Sequence, residues 1–356
     1  MKVSMLRPEE LSEADLARWS EIRGTIPELA SPFFTSRYTV AVSSVRSDVR
    51  VALLEDGGRI VGFFPHQRGP LQAGRPVGGL LCDFQGLVAE REIVCDAREL
   101  LRQAGLRSWR FDHLASGQRV FWPHIRHVAV SRSIDLRSGF DVYAASRRRD
   151  GTKLMRSVAT LSRKLARECG PIHFQTHDDR LVSLRRVLAW KSAQYRRSGL
   201  VDAFRYRWMV ELLEVLLGTC EKEFAGILST LSAGDRMVAA HMGIRSTDVW
   251  HYWVTAYDPE FRRYSPGSIL LTEMTRAAPS LDIHRIDLGK GEELYKHRFA
   301  NRTEEVAEGW VARSGDRWTD RLLGKFDKMM FDAPAQGHLS WSRRVFDRER
   351  RRMAYR

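Results

Sequence analysis

A strand, turn, helix and strand pattern occupies residues 249–299 of this 356-residue chain. Residues 249–257 are rich in β-branched and aromatic side chains, which predicts a strand. A turn rich in Arg, Pro and Gly follows over 258–267, and a helix of about 11 residues is predicted to begin near Ser268. A short strand is predicted at 285–288. Elements in this order form a βαβ unit, in which the two strands run parallel.

The turn before the predicted helix combines positive charge with a helix N-terminus. Unpaired backbone N–H groups and the helix dipole attract anions to such a position. The chain contains neither the GxxxxGK[ST] pattern of a P-loop nor the GxGxxG pattern of a dinucleotide-binding fold. We therefore predict a pyrophosphate site of another kind. Its residues are Arg262, Arg263, Tyr264, Ser265, Gly267 and Ser268.

Three segments in this region carry a family resemblance: MVAAHMGIR at 237–245, HYWVTAYDPEFRRYSPGSILL at 251–271, and DLGKGEELYKHRF at 287–299. Their order and spacing resemble the acetyl-CoA unit of GNAT-superfamily acyltransferases. The resemblance is closer to the CelD/BcsL-like branch, which acts in cellulose and polysaccharide biosynthesis, and to the related FemAB-type transferases. One departure concerns the Gln/Arg-x-x-Gly-x-Gly/Ala loop of GNAT proteins, because only one clear glycine, Gly267, is present here.

The resemblance implies an α/β fold of tandem GNAT-like domains. Each domain would have a mixed, mostly antiparallel central sheet flanked by helices, with a cleft between the two domains. A chain of this length also favours two domains on physical grounds. The predicted N-terminal domain, 1–140, has no recognisable cofactor loop. A basic helical connector is predicted at 141–170, the acyltransferase domain at 171–315, and a basic helical tail at 316–356.

The resemblance also implies a cofactor and several roles. Acetyl-CoA is the expected co-substrate, without a metal, and its pyrophosphate would rest on residues 262–268. Strands 251–257 and 285–288 would separate and hold the thioester carbonyl between them. Tyr295 fits the place of the general acid, and Lys296 fits a ligand of a CoA phosphate or of the acceptor. From the residues alone, Tyr295 is equally a core aromatic and Lys296 equally a solvated lysine.

Four residues compete for the role of general base: Asp83, His241, His251 and Asp287. Histidine ionises near neutrality, which suits proton abstraction. Asp287 lies between apolar residues on a predicted strand, so its side chain must face a polar partner or a structural cap. Asp83 lies in the glycine-rich apolar run 74–88, where an unpaired carboxylate is costly to bury. It is either a cap in a bend or a cleft residue, the position of the acid in CelD-like and FemAB-like sequences.

Charge and cysteine content limit the possible partners. The net charge of +14 favours anionic ligands but does not choose among them, and the arginines are scattered, so no specific nucleic-acid surface is expected. Four separated cysteines without CxxC or histidine spacing predict reduced thiols rather than a zinc site. No 18-residue apolar run and no apolar leader occur, which predicts a cytoplasmic protein with at most peripheral membrane contact.

Three functions follow from these observations. The first is acetyl transfer from acetyl-CoA to a nitrogen or oxygen of a sugar or polysaccharide precursor. The second is FemAB-like transfer from an aminoacyl-tRNA, to which the basic helix at 147–167 would contribute. The third is a non-catalytic nucleotide sensor, since Arg147 and Asp150 match an RxxD pattern found in some cyclic-dinucleotide sites. The basic helix is also explained by simple solvation of a charged face.

Overall fold

The computed structural model of the chain describes residues 1–313. The helices predicted at 318–330 and 339–355, and the tail at 316–356 to which they belong, lie outside the described residues.

The strands of residues 1–313 are numbered in chain order. They are β1 (Lys2–Leu6), β2 (Val49–Asp56), β3 (Arg59–Arg68), β4 (Ala73–Arg75), β5 (Val88–Ala89), β6 (Ser108–Leu114), β7 (Ile125–Asp135), β8 (Ile172–Gln175), β9 (Cys220–Glu221), β10 (Phe224–Ala233), β11 (Arg236–Arg245), β12 (Val249–Tyr257), β13 (Arg285–Lys290) and β14 (Arg302–Ala312).

The α-helices of the same residues are numbered likewise. They are α1 (Glu13–Gly24), α2 (Ser36–Ser43), α3 (Ala97–Gln103), α4 (Gly139–Arg149), α5 (Leu154–Cys169), α6 (Leu181–Arg197), α7 (Arg207–Leu217), α8 (Pro266–Ala277) and α9 (Leu294–Phe299). Several short 3₁₀ segments connect them, among them Pro259–Tyr264 directly before α8.

The strands form one continuous sheet with the order β1-β2-β3-β4-β6-β14-β7-β13-β12-β11-β10-β8. Neighbouring strands are antiparallel except for the pairs β4–β6 and β12–β13, which are parallel. Helices cover both faces of the sheet, so the predicted class, a mixed and mostly antiparallel α/β fold, is confirmed. The sheets of the two halves are joined, because β7 of the N-terminal half pairs with β13 of the C-terminal half.

Strand β14 crosses the predicted boundary between the halves. It follows the βαβ unit in sequence but lies between β6 and β7, which belong to the N-terminal half. The sequence pattern does not predict this strand, because its first half, RTEEV, is charged and mostly exposed. Apolar contact on both sides begins only near Val306 and Trp310. Long-range pairing rather than local pattern therefore makes this segment a strand.

The cores of the two halves are also continuous. One buried cluster joins Phe33 and Phe34 of the N-terminal half to Leu184, Leu212 and Leu228 of the C-terminal half. A second cluster packs α5 and α8 against β10 to β13. Burial of this apolar surface fixes the two halves relative to each other, since each is covered partly by the other.

The predicted hairpin at 49–69 is confirmed as β2 and β3, with Gly57 and Gly58 in left-handed conformations at the turn. Within the segment predicted as a basic connector, α5 buries Leu154, Val158 and Leu165 on one face and exposes its cations on the other. Within residues 1–313, no helix combines the length and the apolar character needed to cross a bilayer.

Candidate active site

The parallel strands β12 and β13 pair over only three positions. Val249 aligns with Arg285 and His251 with Asp287, and the pairing ends there. Beyond this point β12 continues to Tyr257 along β11, whereas β13 continues along β7. The two strands therefore separate after His251, as the resemblance implies. Backbone groups at such an opening are available to a ligand instead of to a neighbouring strand.

A cavity of about 450 Å³ lies beside the separating end of β12. Its volume is in the range of about 300–1,000 Å³ that is usual for small-molecule sites. Apolar walls come from Leu271 and Phe299, and polar groups come from β12, α6, α9 and the start of α8. The polar and aromatic lining residues are Lys191, Gln194, Tyr252, Thr255, Tyr257, Arg262, Ser265, Gly267, Ser268, Glu293 and Tyr295.

The turn at the start of α8 is shaped for an anion. Ser265 adopts a left-handed conformation, with φ 50° and ψ 53°, at the place that the GNAT loop pattern gives to its first glycine. No side chain caps this end of α8. Gly267 and Ser268, at the start of α8, lie on the cavity wall, so the positive end of the helix is close to the cavity.

Gly267 is not required by packing within the protein. Its φ lies outside the positive range, and an added Cβ would only come into ordinary contact with Tyr257, at 3.8 Å. A glycine on the wall of a cavity allows close approach of a ligand to the backbone. Arg262 is exposed, lines the same cavity and adds a positive charge to it.

Three of the residues predicted to bind the cofactor do not line this cavity. Arg263 contacts Glu168 of α5 at 3.3 Å and lies over the ring of Tyr264. Tyr264 is 1% exposed and donates its hydroxyl to Glu168 at 2.7 Å. Both predictions are corrected, since these two residues attach the loop to α5 instead of lining the cavity. Neighbouring side chains of a 3₁₀ turn point in different directions, which explains why Arg262 lines the cavity and Arg263 does not.

Lys296 is the third correction. The side chain is 7% exposed, and its ammonium donates to the carbonyl of Lys290 at 2.7 Å and pairs with Glu293 at 3.2 Å. It does not line the 450 Å³ cavity, and its charge helps to lower the pKa of Asp83. A role for Lys296 at a CoA phosphate therefore does not fit its position.

Tyr295 lies where the resemblance placed the general acid. Its ring faces that of Tyr252 across the cavity wall, with 6.1 Å between centroids. Burial raises the pKa of Tyr295, and the nearby Tyr252, Glu293 and Asp83 raise it further. The phenol is thus neutral and retains a proton that it can donate.

Asp83 and His251 form a hydrogen-bonded pair at the point where β12 and β13 separate. Nε2 of His251 lies 2.9 Å from Oδ2 of Asp83. Burial acts to raise the pKa of Asp83, but His113 and His251 outweigh it and hold that pKa below the ordinary value. We assign the Nε2 proton to His251, because an ionised carboxylate only accepts hydrogen bonds. The buried Nδ1 then carries a lone pair, and it has no partner among the described residues.

Two further residues, His113 and Asp112, extend the Asp83–His251 pair, and the sequence analysis did not name them as site candidates. Nε2 of His113 lies 3.5 Å from Oδ1 of Asp83, and its Nδ1 lies 3.2 Å from Asp112. Both residues are on β6, within the predicted strand SWRFDHL. Asp112 follows the polar positions of β6 and His113 stands at an apolar position, so the pattern of the strand singles out neither residue. Only the packing of β6 beside the 79–85 bend brings them to Asp83.

Gly289 of β13 lies close to both Asp83 and His251. Its φ is +74°, and an added Cβ would lie 3.1 Å from Oδ2 of Asp83 and 3.8 Å from Cε1 of His251. It follows a bulge in β13 directly after Asp287. A side chain here would strain the backbone and displace Asp83.

The other two candidates for the general base, His241 and Asp287, lie in different surroundings. His241 is fully buried, stacks on Tyr252 at 4.6 Å, and accepts a hydrogen bond from the backbone N–H of Trp253 at 3.0 Å. Burial lowers its pKa to about 3, and this histidine therefore serves the β11–β12 bulge as a neutral structural group. Asp287 is 1% exposed and lies 3.0 Å from Nε of Arg285, on the face of the sheet that carries His251.

Arg147 and Asp150, the two residues of the RxxD pattern, make contacts within the protein. Arg147 is 8% exposed; its guanidinium donates to the carbonyl of Ala300 and pairs with Asp150. It is thus occupied by structural contacts rather than presented to a nucleotide.

The comparisons with known proteins agree with this geometry. Residues 152–297, about two fifths of the chain, match the family described as Acetyltransferase (GNAT) domain. The predicted acyltransferase is confirmed at the level of this domain. The matched segment contains the whole βαβ unit, the 262–268 turn and Tyr295. No curated protein matches the chain significantly.

Two solved structures show the same fold over most of the chain. FemX has a TM-score of 0.57 at 9% identity, with 91% of this chain and 100% of FemX covered. The second is the C-terminal domain (DUF2156) of a protein described as a lysylphosphatidylglycerol synthetase from Agrobacterium fabrum. It has a TM-score of 0.54 at 13% identity, with 89% of this chain and 96% of that domain covered. At these identities the likeness concerns the fold alone.

Proposed function

We propose that this protein transfers an acetyl group from acetyl-CoA to a nitrogen or oxygen of a sugar or polysaccharide precursor. The observation that carries the proposal is the orientation of His251. A buried imidazole that donates one nitrogen to a carboxylate and leaves the other unpartnered is arranged as a general base. It lies where β12 and β13 separate, and the next residue of β12, Tyr252, lines a cavity that has the start of α8 on its wall.

The 450 Å³ cavity is the proposed acetyl-CoA site. The pyrophosphate would lie at the start of α8, against the backbone of Gly267, the side chain of Ser268 and the guanidinium of Arg262. The thioester would extend toward His251, where backbone groups of β12 free of strand pairing are available to its carbonyl oxygen. Leu271 and Phe299 supply apolar contact for the pantetheine arm.

The proposed reaction uses three side chains. His251 Nδ1 takes the proton of the acceptor group, whose nitrogen or oxygen attacks the thioester carbonyl carbon. Asp83 stabilises the imidazolium that forms. The carbon–sulfur bond then breaks, and the departing thiolate takes a proton from the neutral phenol of Tyr295. The acceptor leaves acetylated, and CoA leaves as the thiol.

Thermal unfolding and thiol release test the two parts of this proposal. We expect acetyl-CoA and CoA to raise the melting temperature of the protein, because a ligand of the native state stabilises it. Release of free thiol should then require an added acceptor, for which amino and neutral sugars are the first set. Stabilisation by an aminoacyl-tRNA but not by CoA would replace this proposal with FemAB-like aminoacyl transfer. If neither CoA nor an aminoacyl-tRNA stabilises the protein, the 262–268 turn is not a cofactor site.

A further inference from the structure

A second, larger cavity of about 740 Å³ lies at the opposite end of β12 and β13. Residues just before these strands, Asp248 and His284, form part of its wall. The rest comes from the end of α1 and the segment after it, and from β7 and β14. Both halves of the chain therefore contribute to it, and its volume suits a ligand of several rings or residues.

The charges on this wall differ from those of the whole chain. The chain has a net charge of +14, yet carboxylates outnumber guanidinium groups on the cavity wall. The carboxylates are Glu28, Asp135, Glu223, Asp248 and Glu304, and the guanidinium groups are those of Arg23, Arg137, Arg285 and Arg302. The wall is therefore close to electrically neutral, and it does not share the positive charge of the chain as a whole.

A row of buried polar residues leads from this cavity toward His251. His251 on β12 aligns with Asp287 on β13, which aligns with Ser133 on β7. Directly paired residues of a sheet project from the same face. Arg285 lies two residues before Asp287 on that face and lines the cavity, as does Glu304 of β14.

This row contains an unusual number of groups without hydrogen bonds. A buried polar group without a partner costs on the order of 1–3 kcal/mol, and native proteins have few of them. Here such atoms are neighbours on three adjacent strands. They are Oδ2 of Asp287, Oγ of Ser133 and Oε1 of Glu304, whereas Oδ1 of Asp287 lies 3.0 Å from Nε of Arg285 in an ion pair.

The row carries the guanidinium of Arg285 against the two carboxylates of Asp287 and Glu304. Burial and the nearby charge of Asp287 raise the pKa of Glu304, so the two carboxylates repel each other despite Arg285. A cation that contacted both carboxylates would relieve this repulsion. Hydroxyl groups both donate and accept hydrogen bonds, so they suit the mixed donors and acceptors on the rest of the wall.

We propose that this cavity binds the acceptor and that the acceptor is an amino sugar, a polyhydroxylated ligand with a free ammonium group. The inference rests on the proposed function and extends it to a substrate class and to N-acetylation. The ammonium lies against Asp287 and Glu304, and the hydroxyls contact the arginines and acids of the cavity wall. The ammonium gives one proton to His251, and the resulting amine attacks the thioester carbonyl carbon. As the carbon–sulfur bond breaks, Tyr295 gives its proton to the departing thiolate, and the attacking nitrogen then gives its second proton to the phenolate of Tyr295 as the amide forms.

Three trisaccharides with the same linkage test this inference by calorimetry on the full chain without CoA. They are the β-1,4-linked trimers of glucosamine, of N-acetylglucosamine and of glucose, compared at a pH where the amines are charged. We expect the glucosamine trimer to bind at least about tenfold more tightly than the other two, as expected for a charge-assisted contact. Equal binding of all three, or preference for a neutral trimer, would overturn the inference.

Adjacent glutamates of β14 supply matched variants. Glu304→Gln removes a charge from the cavity wall, whereas Glu305→Gln removes one from an exposed side chain at the next position. We expect the first to lose about tenfold in affinity for the glucosamine trimer and the second to bind as the parent chain does. Equal affinities for the two variants would contradict the proposed site. Circular dichroism establishes that each variant is folded.

The same measurements separate this inference from the proposed function. Binding of the glucosamine trimer without any stabilisation by CoA would support the cavity as an amino-sugar site and reject acetyl transfer. Thiol release with another acceptor, together with no binding of the glucosamine trimer, would support acetyl transfer and reject the amino sugar.

Discussion

Nε2 of His251 donates a hydrogen bond to Oδ2 of Asp83 over 2.9 Å, although 168 residues separate the two in the chain. The contact joins the bend at 79–85 to the central strand β12 and therefore holds the two halves of the molecule together at the proposed reaction centre. Its chemical role depends on the ionised state of Asp83, which His113 and His251 stabilise against the effect of burial.

Asp83→Asn tests this pair. An amide in place of the carboxylate no longer fixes the proton on Nε2 or stabilises an imidazolium. We expect kcat to fall by about 10²–10⁴-fold, the usual contribution of general base catalysis, with little change in the KM for acetyl-CoA. Steady-state kinetics of thiol release measures both. A variant that keeps the parent kcat would exclude Asp83–His251 as the base.

Arg262→Ala and Arg263→Ala form a matched pair in the cofactor turn. Arg262 lines the 450 Å³ cavity, whereas Arg263 contacts Glu168. We expect Arg262→Ala to weaken CoA binding by about 10–100-fold, the loss expected for a charge-assisted hydrogen bond. Arg263→Ala should bind CoA nearly as the parent chain does. Calorimetric titration with CoA measures the affinity of each variant. A larger loss for Arg263→Ala than for Arg262→Ala would show that the guanidinium of Arg263 turns into the cavity when the ligand binds.

Tyr295→Phe removes the proposed proton donor and little else from the cavity wall. Without it the thiolate departs unprotonated, so we expect kcat to fall by about 10²-fold or more while the KM for acetyl-CoA stays within a few-fold. Tyr252→Phe is the control, because the Tyr252 hydroxyl is engaged with Thr255 at 2.9 Å. Equal losses in both variants would argue that the two rings shape the cavity and that Tyr295 is not the acid.

Glu304→Gln gives a prediction about stability and pH. Because the pKa of Glu304 is raised from 4.5 in the folded protein, the native state holds this proton more tightly than the unfolded chain. The stability due to this group is present below pH 4.5 and is lost as pH rises through the raised pKa. Glutamine does not ionise, so the free energy of unfolding of the variant, relative to the parent, should increase from acidic to neutral pH.

Urea unfolding at several pH values measures this difference, with Glu305→Gln as the control for a lost surface charge. A difference that is constant with pH would mean that Glu304 titrates normally and that its repulsion by Asp287 is absent.

Much of the local structure could be predicted from the sequence. The strands 108–114 and 249–257 agree with β6 and β12 at both ends, and the helix expected near Ser268 begins at Pro266. These elements are determined by apolar periodicity, by glycine and proline at turns, and by short-range contacts. Strand β14 could not be predicted in this way, since its partners β6 and β7 lie far away in sequence.

By itself the sequence determined the class of fold, the βαβ unit and the residue types of the site, because these depend on neighbours along the chain. It named Asp83 and His251 as separate candidates, but it left Arg262 and Arg263 equivalent and gave no reason to single out His113. Only the tertiary structure decided which of these side chains meet. Hydrogen bonds and ion pairs act over a few ångströms, and the packing of β6, β12 and the 79–85 bend brings distant residues within that range.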